Sequence, residues 1–407
     1  MAGNTKRRSE SVVIRSLRRL KESYWPSGVR DVVVDHGEQE PGFLDCLPVD
    51  VQFRIMTLLS SVDICRLGAT SRYWRALVRD PLLWRFFLLR DTPHWSSIDH
   101  LSMPQLEAPE ALVMGDDAEE GDYERTESKV DYMAEYLKGC PSCRKRWLPS
   151  WPPYRVLTAF LQSLVASAEP RYAMFGPGME QLDVSIVTRL MHASDVLPVS
   201  VIPNSQVNGP SVIGSGISYM FNNQHKFNIF TLYSTNKAER DRAKEKNQYM
   251  SDKLFSLVGS DDSGHPVYRP APQVQQVCQV VEGVIYVANA EPGRGGRPLS
   301  GEVSQSHLTG PKCEGETEGS QIRAVLSSKS RPLLVLSCVS REESKAVRTT
   351  SMGTRHRTPC VEMAKRLSLP QLPNPWMVQD TVAESLSGLL DGISWLLRSS
   401  GVKVYGS

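Results

Sequence analysis

An apolar strand, Tyr172 to Phe175, runs into Gly176-Pro177-Gly178 and then into a helical pattern with Leu182, Ile186, Leu190 and Met191 on one face. Strand, glycine turn and helix is an arrangement that cradles phosphate, because glycines let backbone N–H groups close on the anion. Counting from Gly176, a P-loop requires glycine, lysine and Ser or Thr at positions where this chain carries Gln181, Leu182 and Asp183. The cation that neutralises phosphate and the hydroxyl that anchors magnesium are both missing, and the Asp183 carboxylate repels an anion. Asn236-Lys237-Ala238-Glu239 is similar to the guanine-reading Asn-Lys-x-Asp tetrad, but its fourth residue is Glu. Asn236 with Glu239 three positions on reads better as the cap of a helix. At the later strand the chain reads Leu336-Ser337-Cys338-Val339-Ser340, with no such tetrad. Cys140 and Cys143 form a CxxC pair, but no second pair follows at zinc spacing, and a structural zinc site closes with about four ligands. The histidines are dispersed, with no HExxH helix and no Gly-x-Ser-x-Gly elbow, and His225 reads as a structural histidine ahead of a strand. The expectation is a chain with no catalytic residues, no metal site and no cofactor.

The elements that would position these residues fall into segments. Of 407 residues, 47 are Lys or Arg and 45 Asp or Glu, a formal charge of +2. That balance gives no chain-wide reason to expect nucleic acid or an anionic membrane as partner, which leaves proteins. No run approaches the roughly 18 apolar residues that cross a bilayer, and Met1 to Glu10 are polar. Eight scattered cysteines suit a reducing compartment. These features predict a soluble cytoplasmic protein, with the nucleus as a second compartment. Residues 1–43 form an arm with the basic cluster Lys6-Arg7-Arg8 and a short helical spacing, Val13, Leu17, Leu20 and Tyr24. A flexible arm is the favoured reading; a homodimer contact and a nuclear-import signal are the alternatives.

Residues 44–90 carry dense helical punctuation. Leu47, Val51, Ile55, Leu58 and Leu59 share a face that Pro48 starts; Ser61 caps a short helix through Ile64 and Leu67; Thr70 or Ser71 caps a third with Trp74, Leu77 and Val78. Asp80-Pro81 opens a fourth with Leu83, Trp84, Phe87 and Leu88. Four short helices make a core too small to stand comfortably alone, so part of their apolar surface should meet a partner. The run Leu47-Pro48-Val49-Asp50-Val51, Ile55, Leu58, Leu59-Ser60, Asp63-Ile64-Cys65, Leu67, Tyr73-Trp74, Val78, Asp80-Pro81 and Leu83-Trp84-Arg85 resembles an F-box from end to end. The resemblance implies docking on the Skp adaptor, which bridges to a cullin scaffold carrying a RING subunit. Its candidate apolar anchors are Leu47, Pro48, Ile55, Leu58, Leu59 and Trp84, some of which must hold the motif's own core.

Residues 91–152 read as a linker with some helix from Val130 to Leu137, an acidic run from Met114 to Asp122, and a basic patch at Arg144, Lys145 and Arg146. Trp147, Trp151, Pro152 and Pro153 mark its end. From 153 to 407 helices and apolar strands alternate: a helix from Val156 to Val165, strands Phe227–Tyr233, Val284–Ala288 and Leu333–Val339, a long charged helix from Asn236 to Leu257, another from Val274 to Val281, and a terminal helix from Leu386 to Leu397. This pattern predicts a largely parallel sheet covered on both faces, so the fold class is α plus α/β. Residues 291–331 and 341–358, poor in large apolar groups, read as mobile insertions. Long segments such as Glu169 to Gly178, Asn222 to Ile229 and Arg331 to Cys338 resemble one branch of the F-box family whose C-terminal domain is small-GTPase-like without nucleotide binding. That resemblance implies a substrate adaptor of a Skp–cullin–F-box ubiquitin ligase, with targets such as telomeric repeat-binding factor one and cyclin D1. Ubiquitin transfer would come from the RING subunit, since Cys140 and Cys143 supply too few ligands for a RING. Strand addition at a sheet edge would hold the target, with Leu333, Val335, Ser337 and Val339 as candidates because mobile segments flank them. The rival readings are a nucleotide hydrolase and a scaffold that acts without ubiquitin transfer.

Overall fold

The computed structural model describes residues 42–105, 130–144, 169–201, 216–232, 251–261, 264–291, 311–326, 330–342 and 357–402. The expected arm helix, the acidic run at 114–122, the Trp-Pro cluster at 147–153, the helix at 156–165, the Asn236 cap and most of both insertions lie outside them. The chain forms two compact units, Met1–Arg90 with Thr126–Tyr136, and Asp91–Arg125 with Leu137–Ser407. No helix among the described residues is long and apolar enough to cross a membrane.

The first unit is helical: α1 (Val49–Leu58), α2 (Ser61–Gly68), α3 (Arg72–Leu77) and α4 (Pro81–Asp91), joined by the first turns of α5 (Tyr132–Gly139). Its punctuation follows local chemistry. Pro48 is the residue ahead of α1; the hydroxyl of Ser60, one residue before the expected Ser61, accepts from Asp63 N, and that of Ser71 from Trp74 N. Asp80 Oδ1 accepts from Leu82 N at 2.7 Å, capping α4 just ahead of Pro81. Inside, Phe53, Met56, Ile64, Trp74, Leu83, Trp84, Phe87 and Leu88 are buried with Tyr136. The Trp84 ring lies 5.7 Å from Phe87 and 5.3 Å from Tyr136, and its indole N–H donates to Val78 O at 2.6 Å. Trp84 therefore belongs to the core and is removed from the adaptor-contact residues.

The second unit is built on an eight-stranded sheet in the order β1-β10-β9-β8-β2-β5-β4-β3. In chain order its elements are β1 (Ser97–Asp99), α6 (Pro141–Arg144), β2 (Arg171–Phe175), α7 (Gly178–Gln181), α8 (Ile186–His192), β3 (Val199–Val201), β4 (Gly216–Phe221), β5 (His225–Thr231), α9 (Ser251–Leu254), β6 (Phe255–Ser260), β7 (Pro266–Pro270), α10 (Pro272–Val280), β8 (Gly283–Asn289), α11 (Pro311–Leu326), β9 (Leu333–Val339), α12 (Cys360–Arg366), β10 (Trp376–Val382) and α13 (Leu389–Ser399). Strands β10, β9, β8, β2 and β5 are parallel, while β1, β4 and β3 pair antiparallel at the two ends. Alternation along β8 shows the layers: Ile285 and Val287 join a core with α8 and α13, whereas the Tyr286 hydroxyl donates to Glu318 of α11 at 2.8 Å.

Several expectations change. The linker is not separate: β1 is an edge strand of the sheet, and Arg144 pins it through Asp99 at 3.2 Å and Ser97 at 2.7 Å. The helix expected through Leu182 to Met191 is two, α7 and α8, because the Ser185 hydroxyl starts a new helix by accepting from Thr188 N. The strand expected from Phe227 is β5 (His225–Thr231), the second strand of the β4–β5 hairpin, turned by Asn222 and Asn223 at φ +49° and +55°. Leu257 lies in β6 rather than in a helix, and its exposed strand pairs with β7. Leu386 has φ +57° and precedes the terminal helix. The 291–331 region contains a helix, α11, despite its few apolar residues. Gly315 and Gly319 let it close on the end of α12: an added Cβ at Gly319 would stand 2.8 Å from Leu367 O, and Glu318 meets Arg366 at 3.3 Å.

Trp84→Ala is expected to cost the helical unit about 3–5 kcal/mol, measured as a lowered midpoint of urea unfolding. Gly319→Val should force α11 away from α12 and lose about 1–3 kcal/mol of stability, read in the same way from the α/β unit.

Candidate adaptor-binding face

The helical unit buries one side and leaves another greasy. Arg90 Nη1 donates to Thr57 O at 2.9 Å and to Leu59 O at 3.4 Å, and its guanidinium lies 4.5 Å from the Phe87 ring centre and 5.6 Å from that of Phe86. This tie brings the end of α1 to the end of α4. Around it Leu58 is 77% exposed and Leu89 60%, with Phe86 also exposed. A second exposed group, Phe43, Leu44 and Tyr73, gathers on Gln52, whose amide donates to Leu44 O at 2.8 Å while its carbonyl accepts from the Tyr73 hydroxyl.

Of the anchors expected from sequence, Leu58 stands fully in this face. Ile55 and Leu59 are half-buried, so each divides its surface between core and outside. Leu47 is half-buried and Pro48 exposed at the start of α1, about 15 Å along the helix from Leu58. Phe43, Leu44, Phe86 and Leu89 were missed. Phe86 and Leu89 were legible, since they fall on the opposite side of α4 from Leu83, Trp84, Phe87 and Leu88. On the same unit Arg54, Arg66, Arg72, Arg75, Arg79 and Arg85 are exposed, against the exposed acids Asp45, Asp50 and Asp63. Asp63 is partly neutralised there: the Ser60 hydroxyl and Arg66 hold its carboxyl below the usual range. Apolar anchors inside a polar rim are the anatomy of a protein interface.

The second unit places Leu333, Val335, Ser337 and Val339 differently from expectation. They are buried in β9, which pairs with β8 from Leu333 to Cys338 on one side and with β10 along its whole length on the other; Val335, for example, sits between Tyr286 and Val378. No backbone edge remains for an added strand, so these four residues are withdrawn as target contacts. Seven consecutive buried residues indicate an interior strand, and the low-apolar segments flanking it had suggested the opposite.

The glycine turn sits at the carboxyl end of β2, beside β8, where open α/β sheets bind ligands. Gly176 has φ +133°, and a Cβ there would meet Val287 O at 2.5 Å and Val287 N at 2.8 Å. The turn is thus seated on β8 itself. Beyond it, Asn289 donates to Gln181 at 3.0 Å, Asp183 N to the Ser340 hydroxyl at 3.1 Å, and Ser340 N to Glu291 at 2.7 Å. These bonds, one of them to the Glu291 carboxylate, tie the segment after the turn to the ends of β8 and β9. Nearby thiols are not activated: burial pushes Cys338 up to about 12, and Cys360, which donates to Asp380 at 3.1 Å, is pushed well above its ordinary range by burial and by that carboxylate. Cys140 is buried with its Sγ 3.1 Å from the Ser142 hydroxyl. Among the described residues no cluster of three or more His, Cys, Asp or Glu side chains is arranged to hold a metal.

Comparison with known proteins fits this geometry. Residues 44–90 match the F-box-like family. The chain is 43% identical over 366 residues to F-box only protein 4 of Bos taurus, covering 89% of this chain and 84% of the relative. It is 43% identical to the Mus musculus protein of that name, with 88% and 85% covered, and 41% identical to the Homo sapiens one, with 93% and 90% covered. Identity at this level, carried through both units, shows that the chain belongs to the F-box only protein 4 family.

Proposed function

We propose that this F-box protein is the target-recognition adaptor of a Skp–cullin–F-box ubiquitin ligase. Its helical unit docks on the Skp adaptor, which carries the cullin and RING subunit, and its α/β unit holds a protein for ubiquitination and proteasomal degradation. The observation that carries the reading is the open face at Leu58, Phe86 and Leu89, which stays uncovered while the core behind it is closed around Trp84. Covering such side chains yields roughly 25 cal/mol per Å² of apolar surface. The excess of exposed arginines on the helical unit favours an acidic partner and speeds encounter with it.

The chain itself supplies position rather than chemistry. Holding a target beside a charged ubiquitin-carrying enzyme replaces a bimolecular encounter with an effectively intramolecular one. Targets such as telomeric repeat-binding factor one and cyclin D1 belong to this proposal through family resemblance. The seating of the glycine turn on β8 favours a non-catalytic α/β unit over a nucleotide hydrolase.

Leu58→Asp with Leu89→Asp should leave the fold intact, because both side chains are exposed, and weaken capture of purified Skp adaptor at least about 100-fold. Unchanged capture by a normally folded double variant would remove the proposed face. Titration of the full chain with a fluorescent GTP analogue and magnesium is expected to give no saturable signal up to millimolar concentration. Specific, magnesium-dependent binding would restore the hydrolase reading.

A further inference from the structure

Cys140 stands at the joint where α5 ends and α6 begins, and Cys143 lies one turn on, inside α6. Cys143 N and Arg144 N both donate to Cys140 O, at 3.1 and 2.9 Å, so the segment between the two cysteines is a closed helical turn. Such a turn sets the two Cα atoms roughly 5 Å apart, within the span of about 4.4–6.8 Å that a disulfide bridges. The turn is held in place from both ends. Ahead of it, a Cβ on Gly139 would stand 2.5 Å from the Trp95 ring and 3.1 Å from Ser102 O, so the backbone lies directly against that segment. Behind it, Arg144 reaches Asp99 at 3.2 Å, Ser97 Oγ at 2.7 Å and Ser102 Oγ at 2.5 Å, and Asp99 N donates to the same Ser102 hydroxyl at 2.9 Å.

The two thiols differ in access: Cys140 is 5% exposed and Cys143 half-buried. Burial raises the Cys140 thiol, but the Ser142 hydroxyl, 3.1 Å from its Sγ, together with the Cys143 thiol and the backbone N–H groups of the turn, outweighs that and holds it below its ordinary range. The buried thiols of Cys278, Cys338 and Cys360 are all pushed the other way. Among the described residues no third His, Cys, Asp or Glu joins the pair to hold a metal, so the chemistry on offer there is between the two sulfurs. We propose that Cys140 and Cys143 form a reversible redox site, closing to a disulfide under a low-molecular-weight oxidant such as glutathione disulfide and thereby stiffening the Arg144 clamp on β1. Cys143, the more accessible, loses its proton and attacks the glutathione disulfide, forming a mixed disulfide and releasing one glutathione. The Cys140 thiolate then attacks Cys143 Sγ and releases the second. The protein gives up two electrons and two protons, which leave with two molecules of reduced glutathione. Excess thiol runs both exchanges backwards.

The test equilibrates the full chain at defined ratios of glutathione disulfide to glutathione, quenches with acid, alkylates under denaturing conditions and weighs the tryptic peptide Gly139–Arg144, which holds both cysteines. A Cys140–Cys143 disulfide is expected, with an equilibrium constant at least about tenfold larger in the folded chain than in urea, because the folded turn keeps the sulfurs within reach. Dithiothreitol should return it to two thiols. Cys140→Ser is expected to stop at a stable mixed disulfide on Cys143, while Cys143→Ser should leave Cys140 at least about tenfold slower to take up glutathione. Hydrogen exchange at residues 97–99 should slow at least about threefold in the oxidised form. Two free thiols at every ratio, an equal or smaller constant in the folded chain, glutathione uptake at Cys140 as fast as at Cys143, or unchanged exchange in β1 would each overturn the proposal.

Discussion

The indole of Trp84 is the fixed point of the helical unit. Its N–H is satisfied by Val78 O and its ring is enclosed by Phe87 and Tyr136, so one side of α4 is committed to the interior. A helix has only two broad sides, and the positions between the buried ones, Phe86 and Leu89, must then face out. Arg90 draws the end of α1 to the same place and sets Leu58 beside them. The exposed apolar face is thus a geometric consequence of how a very small core is closed. Among the described residues, the short helices fill their interior with one side of α4 and of α1 and leave the other side exposed.

The α/β unit solves a different problem. A parallel sheet whose central strands are buried on both faces requires helices on each side, and α8 and α13 meet it on one face while α11 and α12 meet it on the other. The price is a crevice at the carboxyl ends of β2 and β8, which this protein closes with its own groups. Gly176 lies against Val287, and Gln181, Asp183, Asn289, Glu291 and Ser340 bond to one another across the space.

Much of this was legible in the residues. Caps and prolines located each F-box helix to within one position, because an N-cap is a local hydrogen bond between a side chain and a nearby N–H. Gln181, Leu182 and Asp183 stand where a P-loop has glycine, lysine and a hydroxyl, which is read from the residues directly. What was missed depends on contacts distant in sequence. The strand β10 acquires its role by pairing with β9 and β1, and β1 by pairing with β10, while α11 closes on the end of α12 through Gly315 and Gly319, which no local apolar count reveals. The interior position of β9 was misjudged because composition beside a strand says little about the strands that flank it in space. Asn222-Asn223 was a readable hairpin signal that went unused.

The most direct measurement is isothermal titration calorimetry of the full chain with purified Skp adaptor at several temperatures, joined to hydrogen exchange of the complex. Coverage of an apolar face predicts saturable one-to-one binding, a clearly negative heat-capacity change, and slowed exchange concentrated in α1 and α4. No binding heat at any temperature, with exchange in those helices unaltered by the adaptor, would contradict the account.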